Sequence, residues 1–178
     1  MAIGSVAGVK SVHPNTKIIW MDAHIDANTP DTSPSGNMHG MPLAYLSGVV
    51  PFHRHWKCLN LDSDLCYFGI RSYEEDELQL IREKGTLVFE SQACRFKNLD
   101  KIHRVMNHYF SNDMSNENKY WVSFDIDSID AKEFGSTGTA EEGGLSIEFC
   151  NKLFSKFLPR SYGMDFTEVN FDLAQSKS

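Results

Sequence analysis

Two short segments, WMDAHIDAN from Trp20 and WVSFDIDSID from Trp121, set acids at alternate positions directly after apolar runs. In an extended chain, residues two apart face the same side, so Asp22, His24 and Asp26 can converge, as can Asp125 and Asp127. Were the two segments neighbours, four carboxylates and an imidazole would share one small volume. Ionised acids at such spacing repel one another, and burying each costs several kcal/mol on the order given for buried ions. A divalent cation resolves both problems. An oxygen-rich set with one nitrogen suits Mn²⁺ or a similar ion, and bridging carboxylates can hold two ions about 3.5–4 Å apart. Such a pair acidifies a shared water and yields a hydroxide nucleophile near neutral pH. Taken singly, either cluster reads more simply as loop acids and helix caps at strand ends; together they favour the metal.

These side chains must be positioned by the elements around them. Five apolar runs, KIIWMD from Lys17, LCYFGI from Leu65, TLVFES from Thr86, YWVSFDID from Tyr120 and YGMDFTEV from Tyr162, have the length and composition of strands covered on both faces. Helical patterns lie between them. SYEEDELQLIREK offers Ser72 as a cap, Glu75 to complete a capping box, and Leu78, Leu80 and Ile81 as a buried stripe. NLDKIHRVMNHYF spaces Leu99, Ile102, Met106 and Phe110, and SIEFCNKLFSKFL spaces Phe149, Leu153 and Phe157, at helical intervals. Alternating strands and helices predict an α/β fold, a three-layer αβα sandwich on a mainly parallel sheet, formed by residues 1–178 as one domain. In such sheets ligands gather at the carboxyl ends of the strands, where both acidic clusters fall. SNDMSNENK from Ser111 reads as a polar loop and DLAQSKS as a loose tail.

The 178 residues are 41% apolar and 23% charged, an ordinary globular composition. A net charge of -7 argues against a nucleic-acid partner, which needs a basic surface. No segment approaches the roughly 18 apolar residues of a membrane span, and no secretory leader is visible, so no membrane partner is expected and a cytoplasmic setting is the default. The four cysteines, Cys58, Cys66, Cys94 and Cys150, lack a CxxC spacing and read as free thiols.

Beyond these readings, WMDAHIDANTPDTSPSGNMHG, SFDIDSID, STGTAEEGGLS and MDFTEVN resemble, in order, the successive signatures of the arginase branch of the ureohydrolases. That resemblance implies a binuclear manganese hydrolase that converts L-arginine to urea and L-ornithine. It implies that Asp22 and Asp125 bridge the two ions, that Asp26 binds the first, and that His24 with Asp127 binds the second. It assigns proton transfer to His39, a role apt for an imidazole. Glu168 is implied to pair with the guanidinium and Thr139 to neighbour it. Asn28, Ser35 and Asn37 match the loop that holds the α-carboxylate of an amino acid, which favours arginase over agmatinase. Glu74 and Glu77 fall where the family holds the α-amino group, although acids at a helix start also have a structural reason in the helix dipole.

The resemblance departs from the family at its ends. The family's GGDHS motif, whose histidine is a ligand of the first metal, would precede MAIGSVAG, so the chain reads as truncated at both termini, with about five of the eight family strands. The expected strand order is fifth, fourth, first, second, third, which leaves an edge of the fifth strand uncovered. With the N-terminus read as truncated, a mitochondrial address stays open. The competing expectations are an impaired arginase-like protein acting through association with intact subunits, and an agmatinase or other guanidino hydrolase. A homo-oligomer is compatible with the family, which commonly forms trimers. Ser128, Ala131, Ala140, Gly135, Ser136 and Phe171 are smaller departures, and none removes a ligand.

Overall fold

The computed structural model describes residues 2–51, 58–110 and 118–175. Five strands, β1 (Lys17–Met21), β2 (Leu65–Phe68), β3 (Leu87–Phe89), β4 (Tyr120–Asp125) and β5 (Ser161–Thr167), form one sheet of order β3-β2-β1-β4-β5. Every pairing is parallel. This is the expected order, and β1 lies centrally between β2 and β4.

Alternation along the strands divides the core into two layers, as a parallel sheet covered on both faces requires. Ile18 and Trp20 of β1, with Leu65 and Tyr67 of β2, pack on one face against α1 (Ala2–Val12), α2 (Pro42–Ser47) and α3 (Glu75–Lys84). Ile19, Met21, Cys66, Phe68, Val122 and Phe124 face the other way, onto α4 (Leu99–Tyr109) and α5 (Ile147–Phe157). The stripes read for α4 and α5 are buried as expected, and Ser146 caps α5 by accepting the Phe149 N–H at 3.1 Å.

Other elements differ from the reading. The cap of α3 is Glu74 rather than Ser72, and its partner is Glu77 rather than Glu75; the Glu74 N–H donates to Glu77 Oε2 at 3.2 Å. Ser72 is still extended, bridged to His24, with its N–H on the Ala23 carbonyl, so the helix cannot begin there. Of the α3 stripe, Ile81 is buried while Leu78 and Leu80 are half-buried. Phe171–Gln175, which take in the first residues of the segment read as a tail from Asp172, form a short helix, α6, whose preceding Asn170 accepts the Asp172 N–H at 3.1 Å. The loop expected from Ser111 lies largely outside the described residues.

At the amino ends of the strands, Asp64 binds the buried Lys10 of α1 at 2.8 Å and Lys17 of β1 at 3.1 Å. At the sheet's margin β5 pairs on one side only, and Tyr162 and Phe166 are exposed. Cys66, Cys94 and Cys150 are buried free thiols and Cys58 is a half-buried one. No helix among the described residues is long and apolar enough to cross a membrane.

Candidate metal centre

The carboxyl ends of β1 and β4 lie side by side, with Met21 level with Phe124. The chain leaves β1 at Met21, passes Asp22 and bends at Ala23 to reach His24, which bridges to Ser72. There His24 Nδ1 stands 3.1 Å from Asp127 Oδ2 and 3.4 Å from Asp22 Oδ1. Donor atoms of Asp22, His24 and Asp127 all fall within 4.8 Å of one another.

Strand alternation places Asp22 but not Asp127. β4 ends at Asp125, and Asp127 sits in a 3-10 turn over Ile126–Ser128. The turn is closed by the Asp127 N–H donating to Asp125 Oδ1 at 3.0 Å. A turn thus brings the two acids together where the sequence suggested a straight strand. Asp26 is reached through a left-handed backbone, φ 58°, and Glu168, just after β5, has φ 61°. Such conformations are strained for residues other than glycine and cluster at functional sites.

Each acid is also held by a neighbour. Asp22 accepts the Trp20 indole N–H at 3.1 Å and the His24 backbone N–H at 2.7 Å. Asp127 accepts the Ala23 N–H on Oδ1 at 3.1 Å and the Thr139 hydroxyl on Oδ2 at 3.0 Å. Thr167 donates to Asp125 Oδ2 at 3.2 Å.

Crowding of acids in a dry setting shifts their protonation. Burial, with the charge of Asp127, drives Asp22 up to about 6 against the His24 hydrogen bond. Burial and the charges of Asp22 and Asp127 drive Asp125 up to about 8, and burial with Asp22 lifts Asp26 well above the carboxylate range. Burial would also raise Asp127, but hydrogen bonding and charge from His24 hold it low. Burial alone would lower His24; its two carboxylate partners outweigh that and hold it at about 11. Burial and mutual charge thus raise Asp22, Asp26 and Asp125, a bound cation would favour their ionised forms, and the oxygen-rich set with one imidazole nitrogen fits a manganese-like ion.

A cavity of about 330 Å³ opens above these residues. Asp22, His24, Asp26, Asp125, Asp127, Thr139 and Glu168 line it, with His39, Asn28, Ser35, Glu74 and Glu77 on the same wall. His39 is exposed in a 3-10 turn, Met38–Gly40. Asn37 is the exception: it precedes that turn, exposed, and does not line the cavity. Asn28 donates to Glu74 Oε2 at 2.8 Å, and hydrogen bonds from Glu77 and Asn28 hold Glu74 low. Glu77 accepts the Ala27 N–H at 2.9 Å, and burial next to Glu74 pushes it up to about 7. Trp20, Ser33, Met38, Tyr73, Ser123 and Thr167 also line the wall without having been singled out. Trp20, Ser123 and Thr167 lie within apolar strand runs, where sequence alone reads them as core.

The family model described as "Arginase family" matches residues 1–178. Arginase-1 of Rattus norvegicus is 34% identical over 191 residues, covering 99% of this chain and 57% of its own length. The solved structure of Entamoeba histolytica arginase in complex with L-ornithine superposes with a TM-score of 0.81 at 32% identity, over 95% of this chain and 59% of that one. Arginase from Bacillus subtilis gives 0.80 at 30% identity, over 97% and 62%. The chain thus spans somewhat less than two thirds of the length of the relatives it matches.

Proposed function

The chain belongs to the arginase family, and we propose that its acidic cavity binds two manganese ions and serves the hydrolysis of the guanidino group of L-arginine to urea and L-ornithine. The observation that carries this reading is the convergence of Asp22, His24 and Asp127 within 4.8 Å, with Asp125 joined to Asp127 through the turn. Asp22 and Asp125, at the carboxyl ends of β1 and β4, would hold the ions together with Asp26 on one side and His24 and Asp127 on the other, the first set being the one the family completes with the histidine of its GGDHS motif. When bound, the ions supply Lewis-acid activation of a water.

The remaining work falls to side chains. Glu168 offers its carboxylate to the planar guanidinium, a charge-assisted pairing that orients the carbon to be attacked. Thr139 orients Asp127 by its hydroxyl and neighbours the same group. His39, at the cavity rim and open to solvent, passes a proton to the leaving amine. Asn28 and Ser35 take the α-carboxylate, with Asn37 outside the cavity wall, and Glu74 with Glu77 the α-amino group. The ornithine bound in the Entamoeba histolytica relative supports an amino-acid product.

The test is urea release from L-arginine, measured with added Mn²⁺ and after chelation, alongside agmatine, which lacks the α-carboxylate. Mn²⁺-dependent urea release with preference for L-arginine is expected. Equal release from the chelated protein, or unchanged Mn²⁺ binding in Asp125→Ala, would contradict the reading.

A further inference from the structure

Arg71, at the carboxyl end of β2, has no place in the chemistry above. Its guanidinium nevertheless reaches main-chain oxygens from three segments around the cavity. Nη2 donates to the Asp127 carbonyl at 2.6 Å and to that of Glu141 at 2.9 Å. Nη1 donates to the Gly69 carbonyl at 3.0 Å, and Nε to that of Glu142 at 3.1 Å. None of the ion pairs among the described residues uses this arginine. Its own backbone N–H adds a fourth segment by donating to the Ala23 carbonyl at 2.9 Å.

Two of these four segments carry donors that hold the Asp127 carboxylate, and a third is the turn that bears it. Ala23 supplies the N–H to Asp127 Oδ1, and the loop from Thr137 to Leu145 supplies the Thr139 hydroxyl to Oδ2. Two backbone hydrogen bonds link that loop to the turn, Asp130 N–H to the Leu145 carbonyl and Leu145 N–H to the Ser128 carbonyl. The loop lies so close that a Cβ on Gly144 would sit 2.8 Å from Arg71 Nη2. Only a planar cation with donors in several directions can satisfy carbonyls arranged this way; an ammonium is a compact charge on a flexible stem.

We propose that Arg71 is a positioning residue for the manganese ligand Asp127: by tying the main chain of three loops together it fixes the direction of that carboxylate, and so sets the affinity of the ion held by Asp22, His24 and Asp127. The proposal rests on the manganese reading, and its test has one arm that does not. Hydrogen exchange in the metal-free full chain reads the clamp itself: Arg71→Met and, to a smaller extent, Arg71→Lys speed exchange of the Asp130, Ala131 and Leu145 amides, with the β1 and β2 amides unchanged. Mn²⁺ titration reads the consequence: affinity for one of the two ions falls about 10–100-fold in Arg71→Met, as for other groups that orient ligands, and Arg71→Lys falls between that and the unsubstituted chain. Should Arg71→Met not fold, Arg71→Lys carries both measurements. Unaltered exchange at the three amides overturns the clamp. Altered exchange with Mn²⁺ affinity equal to that of the unsubstituted chain overturns the link to Asp127. A chain that binds no Mn²⁺ and is indifferent to Asp127→Asn, yet keeps the exchange response to Arg71, removes the manganese reading and its consequence while leaving the clamp standing.

Discussion

Loading the chain with Mn²⁺ at pH 7 expels protons, and their number follows from the charge state of the metal-free cluster. A side chain must shed its proton to become a ligand. His24, held at about 11, is fully protonated at pH 7, and Asp125, at about 8, carries most of a proton. Asp22, at about 6, contributes roughly a tenth of one. Counting His24 and Asp125 alone, about two protons leave per chain when both ions bind, and the raised Asp26 adds to that total. Titration calorimetry at one pH in buffers of different ionisation enthalpy measures the number as the slope of the observed heat. Stability runs in the same sense. A raised pKa in the folded state favours folding below the unfolded value and loses that contribution as pH climbs through the folded one. For Asp125 this window runs from its ordinary 3.8 to about 8, so the metal-free chain weakens across it. The gain in thermal midpoint from Mn²⁺ should widen over the same range. A slope near zero, or proton uptake, would refute the crowding of acids on which the metal assignment rests.

Three further outcomes are expected. His39→Ala should leave Mn²⁺ stoichiometry intact while slowing urea release by about 10²–10⁴-fold; loss of bound metal in this variant would remove the proton-transfer role. Asp64→Asn, which strands the buried Lys10 without its counter-ion, should cost about 3–5 kcal/mol in urea unfolding at pH 7, and a much smaller cost would show that water reaches Lys10. Because Lys10 and Lys17 hold Asp64 below its ordinary pKa despite its burial, its contribution is present above 3.8 and disappears as acid is added, so the variant and the unsubstituted chain should converge at low pH. Gly69→Ala meets a φ of 94° and places a Cβ 3.1 Å from the Asp22 carbonyl; a loss of about 1–3 kcal/mol is expected, with Mn²⁺ affinity falling alongside.

β1, β2 and β4 were legible because they are covered on both faces and so read as nearly unbroken apolar runs, β3 and the half-exposed β5 because of their aromatic and β-branched residues, and α4 and α5 because their apolar residues recur every three or four positions. α1 escaped notice for a physical reason. Its buried positions are Ala2, Val6 and Lys10, so the inward stripe contains one small residue and one cation, and Gly4 and Gly8 dilute any helical signal. Lys10 is inside only because Asp64, far along the chain, waits for it. The five residues of the acidic cluster were selected by two-residue spacing, yet that spacing acts through an extended strand only as far as Asp22; the turn at Ile126–Ser128 and the left-handed Asp26 do the rest. Strand order, and the roles proposed for His39, Asn28 and Glu168, came from family resemblance, since no local pattern specifies them. Arg71 could not be recognised because its partners are main-chain carbonyls, which carry no signature in side-chain sequence.

The pairing of β1 with β4 aligns Lys17 with Tyr120 and so joins segments about a hundred residues apart. During synthesis at roughly 5–20 residues per second, Asp22 leaves the ribosome several seconds before Asp127 is made. The nascent chain can assemble β1, β2 and β3 with their helices in that interval, and it does so with half of its acids still absent and little mutual repulsion to overcome. Closing the long loop then brings the second half against the first in a single late step, slow because its ends are so distant. Metal supplied before that step would meet only Asp22, His24 and Asp26, and the set is joined by Asp125 and Asp127 once β4 pairs with β1.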